Sequence, residues 1–287
     1  MLRNPFSKGN LILLFAGLLT VVPVQAKELF YTTSPFFSGP GAELFAIEVH
    51  DSKITTRDIG PTMGGNCASL AMSPAGVLYS MCGPLFGNQQ LATINQKTGL
   101  ATLFGMANGG VEEGGAPLPL AVMAIAFGPD GILYAVGDCH PNANFECTPG
   151  DQQYNSLYTV NVKTGEFTRV GATGAPQFFM DLAFDRDGNL FGVTSTVNPS
   201  TTPAILYRID AASGAATKVV NLVGSNSVMG LAFGRDGKLF ATDFTQNPGL
   251  YQIDPDTGFE RAIAALPFGF SSSLELANPD EDEENGN

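Results

Sequence analysis

The chain has 287 residues and a formal charge of −13, with only 14% charged residues but 34 glycines and 19 prolines. Such an acidic surface repels the phosphates of nucleic acids. We therefore exclude nucleic acids as partners. The abundant Gly and Pro indicate many tight turns, and the length suffices for one large all-β domain.

The N-terminal segment has the features of a secretory signal peptide. Arg3 and Lys8 precede a mostly apolar run over 11–24, and Val24-Gln25-Ala26 provides small residues at a cleavage site. We predict a signal peptide over 1–26 and a protein that is periplasmic or secreted. No later stretch is long and apolar enough to predict a membrane span.

The remainder of the chain repeats a unit of about 50 residues that contains four short apolar segments, A to D. In the clearest copy, segment A is Met229–Phe233, segment B is Leu239–Asp243 and segment C is Leu250–Asp254. Segment D is weaker. Asp-Gly turns join A to B, and Thr-Gly or Ser-Gly turns join C to D, because Gly supplies the positive φ that such turns need. This pattern is typical of the blades of a β-propeller.

Five copies follow one another along the chain. Segment B is predicted to begin at Leu29, Leu78, Leu133, Leu190 and Leu239, and segment C at Leu44, Leu91, Leu157, Leu206 and Leu250. The first copy lacks segment A, which Ser273–Ala277 supplies at the other end. The sequence therefore predicts an all-β propeller over 27–279, with five four-stranded blades closed by the C-terminal strand. Residues 280–287 are predicted to be an acidic, disordered tail.

Segment A is apolar on both faces, as expected of strands buried on both sides. One face repeats a large apolar residue, and the other repeats Ala71, Ala126, Ala183, Ala232 and Ala277. We expect the large side chains of one blade to pack over the Ala face of the next.

The four cysteines of an exported chain predict two disulfide bonds. Cys67 and Cys82 lie almost symmetrically about the turn at 73–76, where opposite hairpin positions are close enough to be bridged. Cys139 and Cys147 bracket a short loop, and we predict their pairing as well.

The long connections between segments B and C, and between D and A, all lie at one rim of the predicted propeller. The loop over 137–156 carries Asp138 immediately before Cys139, and His140 between the predicted disulfide partners. Variable loops on a rigid scaffold commonly carry function, so this rim is predicted to bind a protein, a glycan or a small molecule. The disulfide would fix the loop for a partner, or it would merely stabilise a long exported loop.

One position of segment A varies in chemistry, and we predict that it lines the mouth of the central channel. Its residues are Ser69, Ala124, Asp181, Gly230 and Glu275. Asp181 and Glu275 would place two carboxylates in one funnel, where they could bind a divalent cation or act in acid–base chemistry. Two solvated carboxylates at a wet channel mouth are the simpler interpretation.

The repeat resembles the exported bacterial propellers that include NHL-type, SMP-30/gluconolactonase-like and YVTN-type domains. The likeness is clearest over Leu231–Asp243 and Leu250–Gly258, with their copies. Members of this group range from partner-binding modules to metal-dependent lactonases, so the resemblance implies a propeller and leaves the function open. The lactonase-like members usually have six blades, and their metal ligands have no matching residues here.

Two functional hypotheses follow. The first is a non-catalytic exported propeller that binds its ligand at the loop rim, because the sequence contains no complete catalytic motif. The second is a divalent-metal-dependent, lactonase-like hydrolase that uses Asp181 and Glu275 at the channel mouth. We predict a monomer without a cofactor, and calcium remains the metal that the carboxylate pair would suit.

Overall fold

The computed structural model describes residues 27–34, 42–50, 53–84, 89–111, 117–139, 155–195, 203–224 and 227–278. Their regular structure is entirely β, which confirms the predicted fold class. The antiparallel strands form five sheets in a ring. Among the described residues, there is no helix that is long and apolar enough to cross a membrane.

Each of the five blades is a meander that runs outward from the channel. Blade 1 comprises β21 (Glu275–Leu276), β1 (Glu28–Ser34), β2 (Glu43–His50) and β3 (Lys53–Pro61). Blade 2 comprises β4 (Asn66–Met72), β5 (Leu78–Gly83), β6 (Gln90–Ile94) and β7 (Ala101–Met106). Blade 3 comprises β9 (Pro117–Phe127), β10 (Leu133–Cys139), β11 (Ser156–Val160) and β12 (Phe167–Ala172), with β8 (Asn108–Val111) added beside β9.

The last two blades keep the same order. Blade 4 comprises β13 (Phe179–Phe184), β14 (Leu190–Thr194), β15 (Ile205–Ile209) and β16 (Ala216–Asn221). Blade 5 comprises β17 (Val228–Phe233), β18 (Leu239–Asp243), β19 (Gly249–Ile253) and β20 (Glu260–Ala265). The five inner strands β21, β4, β9, β13 and β17 contact one another in a closed ring around the channel.

In blades 2 to 5, the turns between the first two strands share one geometry. In blade 5 the Gly237 N–H donates to the Gly234 carbonyl oxygen at 2.9 Å, and Gly237 has a φ of +81°. Gly188 in blade 4 has a φ of +80° and makes the matching bond to Asp185. A side chain would strain this conformation, which explains the repeated Asp-Gly of the sequence.

The core lies between the blades. Ala183 of blade 4 packs with Leu231 and Phe233 of blade 5, and Ala232 of blade 5 packs with Phe30 of blade 1. The prediction that large side chains pack over the Ala face of the neighbouring blade is therefore confirmed.

The ring is closed by the C-terminal strand, as predicted. β21 pairs with β1, and a buried network of hydroxyl groups extends the junction. The Thr32 hydroxyl donates to the Ser273 carbonyl oxygen at 2.6 Å, and the Thr33 hydroxyl is 2.9 Å from that of Ser273. The Ser271 hydroxyl donates to that of Thr242 in blade 5 at 2.7 Å. The closing segment is thus bonded to both blades that it joins.

The predicted disulfide between Cys67 and Cys82 is present. The two residues lie directly opposite each other on β4 and β5, with Cα atoms 4.0 Å apart, and both are buried. The second predicted pair involves Cys147, which lies outside the described residues.

Candidate functional site

The register of blade 1 differs from the predicted one. In blades 2 to 5, the first Leu of segment B pairs with the last apolar residue of segment C, as Leu239 pairs with Ile253. In blade 1 the residue that makes this pair, with Ile47, is Phe30 and not Leu29. The predicted start of segment B at Leu29 is therefore wrong by one residue.

The same pairing moves Glu275 to a different position of the repeat. Glu275 pairs with Tyr31, which corresponds to Phe240 of blade 5, and Phe240 pairs with Ala232. Glu275 therefore takes the place that Ala71, Ala126, Ala183 and Ala232 occupy in the other blades. Counting back along the strand, Ser273 and not Glu275 corresponds to Asp181, so the predicted equivalence of the two carboxylates is wrong.

Asp181 is completely buried and links three inner strands of the ring. Its Oδ2 accepts hydrogen bonds from the backbone N–H of Leu231 in blade 5 at 2.8 Å and of Leu274 in blade 1 at 3.2 Å. Its Oδ1 accepts from the N–H of Leu182 at 3.0 Å. In blades 1 and 5 the inner edge of the innermost strand has no further strand to pair with, and the Asp181 carboxyl accepts one N–H from each of these edges.

Burial raises the pKa of Asp181 well above its ordinary value, and the nearby Glu275 carboxyl raises it further. The three backbone N–H donors act in the opposite direction because they stabilise the charged form. Desolvation likewise raises the pKa of Glu275 to about 8, opposed by a hydrogen bond from the backbone of Met72. The two carboxyls are therefore close enough to interact.

An axial cavity of about 370 Å³ lies at the end of the channel where turns join the first and second strands of blades 2 to 5. All five blades contribute to its wall, and Glu275 is on that wall. Its lining residues include Met72, Phe127, Phe184, Phe233 and Leu276. This is the short-turn rim, opposite the long-loop rim at which the sequence predicted a binding site.

Two further charged residues line the axial cavity, and both have partners in the protein. Asp185 Oδ1 accepts hydrogen bonds from the backbone N–H of Asn189 at 2.7 Å and of Asp187 at 3.0 Å. Arg235 lies 3.6 Å from a Glu28 carboxylate oxygen and donates to the Ala277 carbonyl oxygen at 2.9 Å. The position of Arg235 in this wall could not be predicted from the sequence, because an Arg at a repeated turn looks like an exposed turn residue.

The remaining predicted site residues do not gather at the axial cavity. Ser69 is buried in β4, and its hydroxyl has no hydrogen-bond partner within the described part of the chain. Asp138 is buried in β10, opposite Ala121 of β9. His140 lies outside the described residues, so its predicted role at the loop rim stays a prediction.

The carboxylates do not form a metal site with the residues around them. Across the described ranges, there is no group of three or more His, Cys, Asp or Glu side chains that could hold a metal ion. Calcium takes about six to eight oxygen ligands, and the axial cavity is lined mainly by apolar side chains. The residues present therefore do not fit a calcium ion between Asp181 and Glu275.

The fold and the axial cavity define a five-bladed, repeat-type β-propeller with two half-buried carboxyl groups, Asp185 and Glu275, at one end of its channel. Residues 33–258 match a family model described as "Repeat of unknown function (DUF6923)". The match spans more than half of the chain, which therefore belongs to this family. A comparison with curated proteins found no match.

Several solved propeller structures are similar to the chain at low identity. A gluconolactonase from Xanthomonas campestris is 13% identical with a TM-score of 0.47, over 87% of this chain and 79% of that one. A PQQ-bound aldose sugar dehydrogenase from Streptomyces coelicolor is 15% identical with a TM-score of 0.47, over 88% and 86%. A protein from Lactobacillus plantarum is 12% identical with a TM-score of 0.48, over 88% and 100%. Similarities at this level carry no argument about function.

Proposed function

We propose that the protein is an exported, non-catalytic binding propeller that takes a small organic ligand in the axial cavity. One observation carries this proposal: Glu275 is the carboxyl group that replaces Ala in one blade only, at the wall of that cavity. Four Ala residues make the same inter-blade contact without a polar group, so packing does not require a carboxyl there.

The geometry of the axial cavity supports a small ligand. Its volume of about 370 Å³ lies at the lower end of the range of small-molecule sites, ~300–1,000 Å³. Such sites combine an apolar lining with a few fixed polar groups, and here Glu275 is a half-buried polar group on the wall, as are Asp185 and Arg235. Export is part of the proposal because the N-terminal segment has signal-peptide features and a buried disulfide is present. The predicted binding role of the long-loop rim stays a separate prediction.

A screen of small molecules by thermal shift tests the proposal. Wild-type protein should be stabilised by a subset of ligands, because a compound that binds only the folded state raises its melting temperature. Glu275→Leu, which removes the carboxyl and fills part of the cavity, should abolish that stabilisation. Glu166→Gln changes an exposed carboxylate in the turn before β12 and should leave it intact. Equal ligand shifts in all three proteins would contradict the proposal.

A second candidate, a hydrolase with its site in the same cavity, is favoured by the titration of Glu275. With a pKa of about 8, Glu275 is increasingly ionised as the pH rises through that value, and its carboxylate would then act as a general base. Glu275 would accept a proton from water as the water oxygen attacks a lactone or ester carbonyl, and it would return the proton to the leaving alkoxide. Hydrolysis by wild-type protein that is lost in Glu275→Gln would favour this candidate over simple binding. No hydrolysis, together with ligand-induced stabilisation, would favour the first.

A further inference from the structure

The mouth of the axial cavity is an apolar ring built from one position of the repeat. The ring comprises Met72, Phe127, Phe184, Phe233 and Leu276, each half-buried at the end of an inner strand. Three of its five members are therefore phenylalanine.

Aromatic neighbours hold the three Phe rings in place. Phe127 lies 5.3 Å from Tyr79 between ring centroids, and Phe184 lies 5.4 Å from Tyr134. Phe233 lies 5.4 Å from Phe191. These are favourable tilted or edge contacts, so the rings are positioned by the fold before any ligand arrives.

Carboxyl groups outnumber cationic groups around this apolar ring. Glu275 and Asp185 contribute carboxyl groups, and Arg235 is the cationic residue among the described lining residues. Its guanidinium is next to Glu28, which balances its charge, and it also donates to backbone carbonyl oxygens. A formal charge of −13 on the whole chain adds to the attraction of cations toward this cavity.

The apolar ring and the carboxyl groups together favour some classes of ligand over others. An anion would meet two carboxyl groups, and a metal ion would find an apolar wall in place of oxygen ligands. A neutral polyol would find few free groups, because the polar lining side chains Ser73, Asp185 and Arg235 are bonded within the protein. An organic cation suits the site, since the faces of aromatic rings and a carboxylate both attract positive charge while apolar groups cover alkyl substituents.

From this geometry we infer that the ligand of the axial cavity is a small organic cation, a tertiary or quaternary ammonium compound, with Glu275 as its counter-charge and the apolar ring around its alkyl groups. This inference rests on the proposed function and specifies its ligand class.

Binding of such a cation should be coupled to release of a proton from Glu275. The titratable or charged groups on the elements packed around Glu275 are Tyr31, Asp181, Asp185 and Arg235. Of these, Asp181 is the group whose pKa the Glu275 carboxyl raises. Because burial keeps Glu275 protonated below a pH of about 8, the cation must displace that proton. Its affinity should therefore rise with pH by up to about tenfold per unit until Glu275 is ionised. A neutral ligand would show no such rise.

Isothermal titration calorimetry with two matched probes tests the inference. The probes are choline and 3,3-dimethyl-1-butanol, in which a neutral carbon replaces the quaternary nitrogen. The inference predicts that choline binds wild-type protein at least about tenfold more tightly than its isostere, an increment typical of a desolvated cation–π contact. Choline affinity should also rise about 30-fold or more between about pH 6 and pH 8. In Glu275→Gln the preference for choline and its pH dependence should both fall, whereas Glu166→Gln should behave as wild type.

Two results would overturn the inference. Binding of the neutral isostere as tightly as choline would refute the cation class while leaving the axial cavity as a ligand site. Failure of both probes at millimolar concentration would also refute it. The proposed function would still be decided independently by the thermal-shift screen, in which neutral and anionic compounds are included.

Discussion

Replacement of Glu275 by Gln should stabilise the protein, increasingly so as the pH rises. The folded protein raises the pKa of Glu275 from its ordinary value of 4.5 to about 8. Between these two values the unfolded chain has lost the proton that the folded protein still holds. Stability therefore falls with increasing pH, by about 1.4 kcal/mol per pH unit for this one group. Above a pH of about 8 the loss reaches its limit.

The magnitude follows from the width of that window. A shift of between three and four pH units corresponds to about 4–5 kcal/mol if the carboxyl is fully screened from water. Glu275 is half-buried beside an open cavity, so we expect about 2–4 kcal/mol in practice. Gln is nearly isosteric and does not titrate, so Glu275→Gln should gain this amount relative to wild type on going from about pH 5 to about pH 8.

Urea denaturation of ligand-free protein at several pH values measures this difference directly. Glu166→Gln is the matched control, since it makes the same chemical change at an exposed site. The control should follow wild type at every pH. A difference between Glu275→Gln and wild type that stays constant over the whole range would refute the reasoning, because it would show that the carboxyl titrates alike in the folded and unfolded chains.

Three further predictions concern the stability of the ring. Asp181→Ala should lower the free energy of unfolding in urea by about 3–5 kcal/mol, because it leaves three backbone N–H groups without an acceptor. Asp181→Asn should lower it clearly less, because one side-chain oxygen remains, and equal losses in the two variants would contradict the role of Asp181 as acceptor of these three bonds. Replacing Cys67 and Cys82 by Ala should lower the free energy of unfolding by about 3 kcal/mol, and wild-type protein with its disulfide reduced should show the same loss. An unchanged urea midpoint in the double variant would contradict this prediction. Deletion of 271–287 should abolish cooperative unfolding by circular dichroism because it removes β21, whereas deletion of 280–287 should leave the transition unchanged.

Much of the fold could be predicted because the same pattern of four apolar segments and turns occurs five times in the chain. The spacing of the segments predicted the five blades, and the match of Ser273–Ala277 to segment A predicted the closing strand. The predicted register was wrong in blade 1, because all seven residues of β1 are buried and no alternation of apolar and polar residues distinguishes the two faces of the strand. Since Leu29 and Phe30 are both apolar, a shift of one residue leaves no trace in the sequence.

The closing strand was misaligned for a related reason. Leu274 and Leu276 both face blade 5, so shifting Ser273–Ala277 by two residues preserves the alternation. Pairing with Tyr31 decides between the two alignments, and this pairing is a tertiary contact between distant parts of the chain. The position of Glu275 in the axial cavity therefore could not be derived from the repeat alone.

Asp181 and Glu275 illustrate how environment separates the roles of two neighbouring carboxyls. Asp181 is bonded by three backbone N–H groups from three inner strands and has no exposed surface, so it has little capacity left for a ligand. Glu275 has one backbone partner and lines an open cavity, so its oxygens remain available. The number of backbone donors and the access to the cavity therefore give Asp181 a structural role and leave Glu275 as the carboxyl that can meet a ligand.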